Sequence, residues 1–290
     1  MDPQVLINGL LLGAIYASVG VGFSLTWGVL NIINIAHGAM VMLGAYVTFY
    51  LFTALGIDPF LTIPVSMVVL FVLGYLLQRF IINRVIPYGV FMTLVLTFGL
   101  SLFFIDVALI AFSGDYRSVT PGYAGAGMVF AGVVISYQRL AIFVVSLLLV
   151  LALHAYLTRS KLGRAIRATA LNRASAQLLG VNVTSIYAIT FGIGAAMAGA
   201  AGSLLSMTIT ITPFLGNAFI GKAFVVATLG GLGTIQGALV GGLILGLAES
   251  FGASLIGPSY QHAIGFGILV LVLILRPEGI MGKQFYAEVK

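Results

Sequence analysis

The sequence predicts an all-α protein that crosses a lipid bilayer many times, and its composition gives the reasons. Of its 290 residues, 61% are hydrophobic and only 7% are charged. A soluble globular domain carries about 25% charged residues, so this chain has too little charge to cover a surface that faces water. A membrane-spanning helix needs roughly 20 mostly apolar residues. Residues 1–290 are therefore expected to form a single transmembrane bundle of about eight to ten segments, including broken or re-entrant helices.

Polar and charged residues divide the chain into apolar runs. The stretch 213–249 is apolar but long and rich in glycine, which weakens helices, so we interpret it as a broken helix or two short segments. Residues 113–138 are rich in turn-forming residues and are expected to form an external loop. The other runs predict separate spans at about 5–27, 38–57, 60–82, 90–112, 139–158, 186–209 and 261–276.

The basic residues predict how the chain is oriented. Because short loops rich in Lys and Arg stay in the cytoplasm, the loop that starts at residue 159 is expected to be cytoplasmic. The N-terminus carries no basic side chain and is expected outside, while the basic tail is expected inside, which requires an odd number of crossings. The net charge of +6 is explained by basic residues in short cytoplasmic loops between the apolar runs. No nucleic-acid partner is therefore expected. The loop has five basic side chains and no acidic one: Arg159, Lys161, Arg164, Arg167 and Arg173.

Few side chains could carry out chemistry. The chain has no cysteine and only three histidines, which lie on distant segments, so no metal site and no catalytic residue are predicted. Residues 216–223 come close to a phosphate-binding loop, but Ala223 stands where that motif needs Ser or Thr after Lys222. We expect Lys222 near the start of a helix at the membrane interface, with its aliphatic stem along apolar surface. No enzyme activity and no cofactor are expected on this chain.

Asp106 and Glu249 are the acidic residues nearest to the depth of the bilayer. An acidic side chain inside a membrane is a functional hypothesis by default. Each of the two lies only one or two turns from the end of its span, so an interfacial position is equally compatible with the sequence.

Two stretches interrupt the apolar runs with polar residues or glycine. Asn31, Asn34 and His37 form a polar island between the first two spans. Unpaired polar groups in hydrocarbon are costly, so these side chains either cap two helix ends or line a pathway. The second stretch is the glycine-rich run 230–233, with Pro213 upstream. Broken helices of this kind expose backbone groups to a water-filled path in transporters.

The segment 159–181 is too polar to span a bilayer and too apolar to be a plain linker. Its apolar residues, such as Ile166 and Ala170, recur at near-helical spacing between arginines, and Gly180 is placed to end a helix. The segment is interpreted either as a helix lying on the membrane surface or as a helix that docks a cytoplasmic partner.

The chain resembles the branched-chain amino acid permease family of ATP-binding-cassette importers, and the resemblance covers nearly all of it in order. Together the motifs are specific, although any one of them would be weak. They are NIINIAHG at 31–38, MLGAY at 42–46, LGRAIRA at 162–168, NR at 172–173, LLGV at 178–181, KAF at 222–224, LGGLG at 229–233 and RPEG at 276–279.

The resemblance implies an importer in a bacterial inner membrane that moves branched-chain amino acids by alternating access. This chain would be the first of two related permease subunits. Two cytoplasmic ATPase subunits would bind ATP and magnesium beneath them, and a periplasmic binding protein would deliver substrate. Related permeases carry urea, short amides or aromatic acids, so those substrates remain alternatives. A stand-alone channel or ion-coupled carrier is an alternative of another class, which the basic loop and the shortage of intramembrane acids disfavour.

The resemblance also assigns roles to residues. The loop 159–185 would dock the ATPases, with coupling residues Arg164, Arg167, Asn172, Arg173, Ala176, Leu179 and Gly180. Ala174 and Ser175 depart from the family pattern, which often has Glu and Ala there, so the chain lacks an acidic side chain at that point. The translocation pathway is predicted to be lined by Asn31, Asn34, His37, Gly38, Pro213, Gly216, Gly230, Gly231 and Gly233.

Overall fold

The structure is a computed structural model, and it describes residues 3–130, 133–276 and 278–282. Residues Gln78–Ile82 form a π-helical turn, and 3-10 turns are formed by Ile86–Tyr88 and Pro258–Tyr260. The strands β1 (Gly127–Phe130) and β2 (Val133–Ser136) form an antiparallel hairpin. The helices are α1 (Pro3–Leu30), α2 (Ala36–Leu55), α3 (Pro59–Leu77), α4 (Asn83–Val85), α5 (Val90–Phe112), α6 (Tyr137–Arg159), α7 (Lys161–Leu171), α8 (Arg173–Leu178), α9 (Val183–Ser206), α10 (Leu215–Gly230), α11 (Ile235–Ile256) and α12 (Gln261–Leu275).

The number and type of segments agree with the prediction. Seven helices in the described part of the chain are long and apolar enough to cross a membrane, and two shorter apolar helices, Leu215–Gly230 and Ala263–Leu275, join them. Seven and two give nine segments, so the predicted all-α bundle of about eight to ten segments is confirmed. The break predicted within 213–249 is also confirmed, because it separates α10 from α11. The β1–β2 hairpin was not predicted; it lies within the expected loop 113–138.

Helices α1 and α9 form the centre of the bundle. α1 packs against α6, α9, α10 and α11, and α9 also packs against α2 and α3. Most of α9 is buried, and it is rich in small residues. A Cβ atom on Gly202 would lie 2.0 Å from the carbonyl oxygen of Val41, and one on Gly194 would lie 2.4 Å from Oγ1 of Thr26. The backbones approach so closely because helices in lipid pack through small residues.

Helices α10 and α11 pack beside α1 and run in opposite directions. Two helices that follow each other across a bilayer must run in opposite directions, and α10 and α11 do so. If each of the nine segments crosses the bilayer, their number is odd, which is the parity that the orientation argument requires. α10 runs parallel to α1 and α11 antiparallel to it, as their contacts show: Gly20 with Val226 and Gly28 with Gly233 for α10, and Gly9 with Leu247 and Gly13 with Leu243 for α11.

The outer surface of the bundle is apolar. Large hydrophobic side chains are exposed along α3, α5, α6 and α12, among them Leu61, Val68, Phe91, Ile110, Leu148 and Ile274. Contiguous apolar surface of this extent is stable against lipid or other apolar protein and unstable against water. Together with the nine apolar segments, it identifies a multi-pass membrane protein.

Candidate functional site

The polar island folds back along α1. After α1 ends at Leu30, residues 31–35 form no helix, and α2 begins at Ala36. The Nε2 atom of His37 lies 2.9 Å from the carbonyl oxygen of Val19. At 1.5 Å per residue, Val19 is about 16 Å back along the helix from Leu30. α2 therefore starts deep inside the bundle, beside the middle part of α1.

A threonine on α5 holds the non-helical segment in place. Oγ1 of Thr97 donates to the carbonyl oxygen of Ile33 at 2.9 Å and accepts from the N–H of Ile35 at 3.2 Å. Asn31 is exposed and has a φ of +56°, a left-handed conformation that Asn adopts more readily than most residues. The segment therefore has a fixed but irregular backbone.

Asn34 and His37 are buried and carry unpaired atoms. Their exposed fractions are 2% and 0%. The carbonyl of Val19 can only accept, so Nε2 of His37 donates and its Nδ1 remains an acceptor. Neither this Nδ1 nor Oδ1 of Asn34 has a hydrogen-bond partner among the residues that the structure describes. Two free acceptors at this depth are suited to water or to a donor group on a ligand.

The start of α10 meets the start of α2. A Cβ atom on Gly38 would lie 2.3 Å from the carbonyl oxygen of Gly216, and one on Gly216 would lie 2.5 Å from the carbonyl oxygen of Gly38. Pro213, just before α10, is buried. The N-cap residues of the two helices, Ile35 and Phe214, provide no side-chain cap. Two helix N-termini, each with a partial positive charge, are thus brought together between residues 31–38 and 213–216, both of which were predicted to line the pathway.

The other predicted pathway glycines lie at the opposite end of α10. Gly231 and Gly233 have φ values of +99° and +84°, so they form a tight turn that favours glycine. The tail covers this turn, because Ile280 donates its N–H to Leu229 at 2.8 Å and Met281 donates to Gly230 at 3.0 Å. From residue 216 to residue 230 is about 21 Å along the helix. The structure does not join these glycines to the polar island, and a role for both regions in one path stays a prediction.

Lys222 and Glu249 form a buried ion pair, so the prediction that Lys222 lies at a helix start on the membrane interface was wrong. Its Nζ lies 2.8 Å from Oε2 of Glu249, and its side chain is only 11% exposed. Tyr16, at the middle of α1, donates its hydroxyl to the same Oε2 at 2.6 Å and also accepts a hydrogen bond from Nζ. Nζ lies 4.3 Å from the centre of the Tyr16 ring. The side chain points inward because Glu249, which is 1% exposed, offers it a charge partner.

The sequence held a signal for this pair. Lys222 is the lone charged residue of the segment 215–230, and Glu249 is the lone one of the segment 235–256. Opposite charges on consecutive apolar segments are expected to pair, because an isolated charge in hydrocarbon is costly. Asp106, in contrast, is exposed on α5, and its role stays open. In the described part of the chain, no three His, Asp or Glu side chains lie close enough together to hold a metal ion.

The loop between α6 and α9 contains two helices where the sequence predicted one. Asn172 ends α7 and caps α8, since its side chain accepts the N–H of Ser175 at 2.9 Å. The prediction that Gly180 ends a helix is confirmed: its φ is +82°, and Val181 donates its N–H to Ala176 at 3.0 Å. Ser160 caps α7 in the same way through the N–H of Gly163. Side-chain caps therefore set the boundaries of α7 and α8.

Arginines attach this loop to the bundle, whereas leucines point away from it. Arg167 donates to the carbonyl oxygen of Thr158 at 3.2 Å, Arg164 donates to that of Arg159 at 3.4 Å, and the guanidinium of Arg173 stacks on Tyr187. Among the remaining coupling candidates, Ala176 is buried and Leu179 is exposed. Three leucines of this loop are almost fully exposed, with exposed fractions of 82%, 90% and 82%: Leu171, Leu178 and Leu179. We call these three side chains the docking surface.

The comparison with known proteins identifies the family. A family model described as the permease component of branched-chain amino acid transport systems matches residues 5–273. The chain belongs to this family. The resemblance drawn from the sequence motifs is thereby confirmed, and the match covers both the helix starts at Gly38 and Gly216 and the docking surface.

Similar proteins come from bacteria and from an archaeon. The "High-affinity branched-chain amino acid transport system permease protein BraD" of Pseudomonas aeruginosa is 38% identical, over 97% of this chain and 95% of its own length. The corresponding LivH protein of Escherichia coli is 35% identical over the same shares. The probable LivH protein of Methanocaldococcus jannaschii is 31% identical, over 98% of this chain and 94% of its own. No solved structure matches the chain.

Proposed function

We propose that this chain is a permease subunit of an ATP-binding-cassette importer and that it moves branched-chain or related hydrophobic amino acids across a bacterial inner membrane by alternating access. Its family and the names of its relatives support the proposal along nearly the whole chain. The partners in this proposal are a second, related permease subunit, two cytoplasmic ATPases that bind ATP and magnesium, and a periplasmic binding protein.

The docking surface is the observation that carries the coupling to ATP. Three leucines with more than four-fifths of their area exposed stand on a loop whose arginines are already used to hold it to the bundle. Apolar groups displayed in this way mark a protein contact. A helix that lies on the membrane surface buries its apolar face in lipid. The apolar face of α7 packs on the bundle instead, and its Ile166 is only 1% exposed. This favours a cytoplasmic partner over the membrane surface.

The contact between Gly38 and Gly216 is our candidate for a closed point of the pathway. Two helix starts touch there without intervening side chains, so a small relative movement of α2 and α10 would open a gap. Unpaired acceptors on Asn34 and His37 lie in the same stretch and offer hydrogen bonds to water or to the ammonium group of an amino acid. The two helix N-termini favour the carboxylate. An alternating-access cycle would expose this point to each side in turn.

Co-purification tests the assembly. Tagged chain is pulled down from its native membrane in mild detergent and the bound proteins are identified by mass spectrometry. We expect an ATPase and a second permease in the complex. A matched preparation that carries Leu178→Ser and Leu179→Ser should lose the ATPase and keep the second permease. Recovery of the chain alone from the wild-type membrane would contradict the importer proposal.

A substrate panel tests the chemical class. The purified complex with its binding protein is placed in vesicles, and uptake of labelled leucine, isoleucine and valine is compared with uptake of urea, acetamide and benzoate. We expect uptake of the branched-chain amino acids. Transport of one of the other solutes at a higher rate would keep the importer and replace the substrate.

A further inference from the structure

The ion pair between Lys222 and Glu249 lies where charge is least expected. Tyr16 is at the midpoint of the 28-residue α1, and the three side chains join α1, α10 and α11. Well-packed apolar residues stabilise a buried site at least as well as an ion pair does. Charges retained inside a membrane protein therefore point to a role in moving a polar solute.

Lys222 is the accessible member of the cluster. Its side chain is 11% exposed, whereas that of Glu249 is 1% exposed. A lysine ammonium has three N–H donors. Oη of Tyr16 and Oε2 of Glu249 take two of them, and no further acceptor contacts Nζ among the residues described. One donor is therefore left for a ligand.

The side of α10 next to Lys222 is open. Phe214, Asn217 and Ala218 are exposed at the start of this helix, and Ala218 lies one turn before Lys222. Residues four apart share a helix face. Ala218 therefore opens the face that carries Lys222, on the side of this 16-residue helix that is turned away from Gly216 and its contact with Gly38.

We propose that Lys222 binds the carboxylate of the transported amino acid as it passes along α10, and that Glu249 and Tyr16 are positioning residues. The inference rests on the proposed function and names the part of the substrate that this chain recognises. Glu249 keeps the lysine in place when the site is empty. When a carboxylate takes the free donor and draws Lys222 outward, Tyr16 still donates to Glu249 at 2.6 Å, so the buried carboxylate is never without a partner.

Charge rearrangement separates this role from a structural one. The variants are Lys222→Arg, the double neutral Lys222→Gln with Glu249→Gln, and the swapped pair Lys222→Glu with Glu249→Lys. The control is Arg84→Gln, which removes an exposed cation elsewhere. Assembly, ATP hydrolysis stimulated by the binding protein and leucine uptake are measured on each complete complex.

Uptake should fall about ten-fold or more in the neutral and swapped pairs, since one charge-assisted hydrogen bond to the substrate is lost. Assembly and stimulated ATP hydrolysis should stay near the wild-type values, and Lys222→Arg should keep most of the uptake. Wild-type uptake in the swapped pair would show that the charges only stabilise the fold. A parallel fall of ATP hydrolysis and uptake would assign the pair to the conformational change. Either result would overturn the inference.

A second measurement does not depend on the charge variants. The chain has no cysteine, so Ala218→Cys creates one reactive thiol a turn from Lys222. Its rate of modification by a small thiol reagent is followed in the complex during ATP-driven delivery of leucine. We expect leucine to slow the modification of the thiol. An unchanged rate would show that leucine does not pass the helix face that carries residue 218 and Lys222, and it would contradict the inference. If the wild-type complex took up no branched-chain amino acid at all, the proposed function itself would fail, which is a different outcome.

Discussion

Single glycines decide where the helices of this bundle touch. Gly38 and Gly216 meet at the starts of α2 and α10, and Gly44 meets Gly199 further along α2. At each contact the space of a side chain is filled by the backbone of another helix. The sequence motif that includes Gly38 therefore has a packing reason.

Adding one methyl group at Gly216 should disturb the contact. The new Cβ of Gly216→Ala would lie 2.5 Å from the backbone of Gly38, so α2 and α10 have to separate. Overpacking of this kind costs about 1–3 kcal/mol. Thermal unfolding of the complex should show a lower midpoint, and leucine uptake should fall with it.

The matched control for this change is Gly99→Ala on α5. Nothing lies within 4 Å of the Cβ that would be added there, and alanine favours a helix over glycine by about 1 kcal/mol. The midpoint of thermal unfolding of the Gly99→Ala complex should stay the same or rise. The account of the contact would be wrong if the two variants behaved alike.

For single residues, the sequence indicated which polar side chains need a partner, but it did not indicate which residue the partner is. It marked His37 and Asn34 as polar groups that need partners, and both are buried with unpaired atoms. It placed Lys222 at the interface because hydrophobicity along one segment does not show which side chain of another segment lies opposite. The partner, Glu249, is 27 residues away in sequence and 2.8 Å away in space.

The loop between α6 and α9 is built so that its two helices keep a fixed relation to the bundle. Buried Ile166 and Ala176, side-chain caps and arginine contacts hold α7 and α8, while Leu178 and Leu179 stay exposed. A rigid connection is needed if movement of a partner is to reach the transmembrane helices.

Polar substitutions on this surface should uncouple transport without unfolding the chain. Leu178→Ser with Leu179→Ser removes side chains that are 90% and 82% exposed, so the unfolding midpoint should change little. Loss of two central apolar contacts weakens binding of a partner by about 2 kcal/mol, or roughly thirty-fold. Binding of the ATPase to the purified permease pair measures this.

Leu255→Ser provides the control for those leucines. Leu255 is 82% exposed at the end of α11, outside the docking surface. The permease pair with Leu255→Ser should bind the ATPase as tightly as the wild-type pair does. Equal weakening in both variants would mean that any exposed leucine matters, and the docking surface would lose its assignment.

Among the elements, helices were predictable and the hairpin was not. Long apolar runs and the glycine break between α10 and α11 gave direct signals, because a helix in lipid has to be apolar and glycine weakens it. Strands β1 and β2 are four residues each and are embedded in a turn-rich loop. The β-branched run at 133–135 was the signal that could have indicated a strand.

The whole molecule combines an apolar exterior with a centre that is irregular and polar. The exterior follows from composition alone. The centre does not, because it depends on two chain segments, 31–35 and 207–214, that enter the bundle and place two helix starts in contact. Their meeting point and the buried pair on α10 and α11 are the two places where we propose that this chain contacts a polar solute.

ATP-driven uptake tests the central claim most directly. Vesicles that contain this chain, the second permease and both ATPases are loaded with ATP, the binding protein and labelled leucine are added outside, and leucine inside is measured with time. The account predicts accumulation above the outside concentration, and none when ATP or either ATPase is left out. Leucine that entered without ATP and stopped at equal concentrations would contradict the account and show that the chain acts as a passive channel.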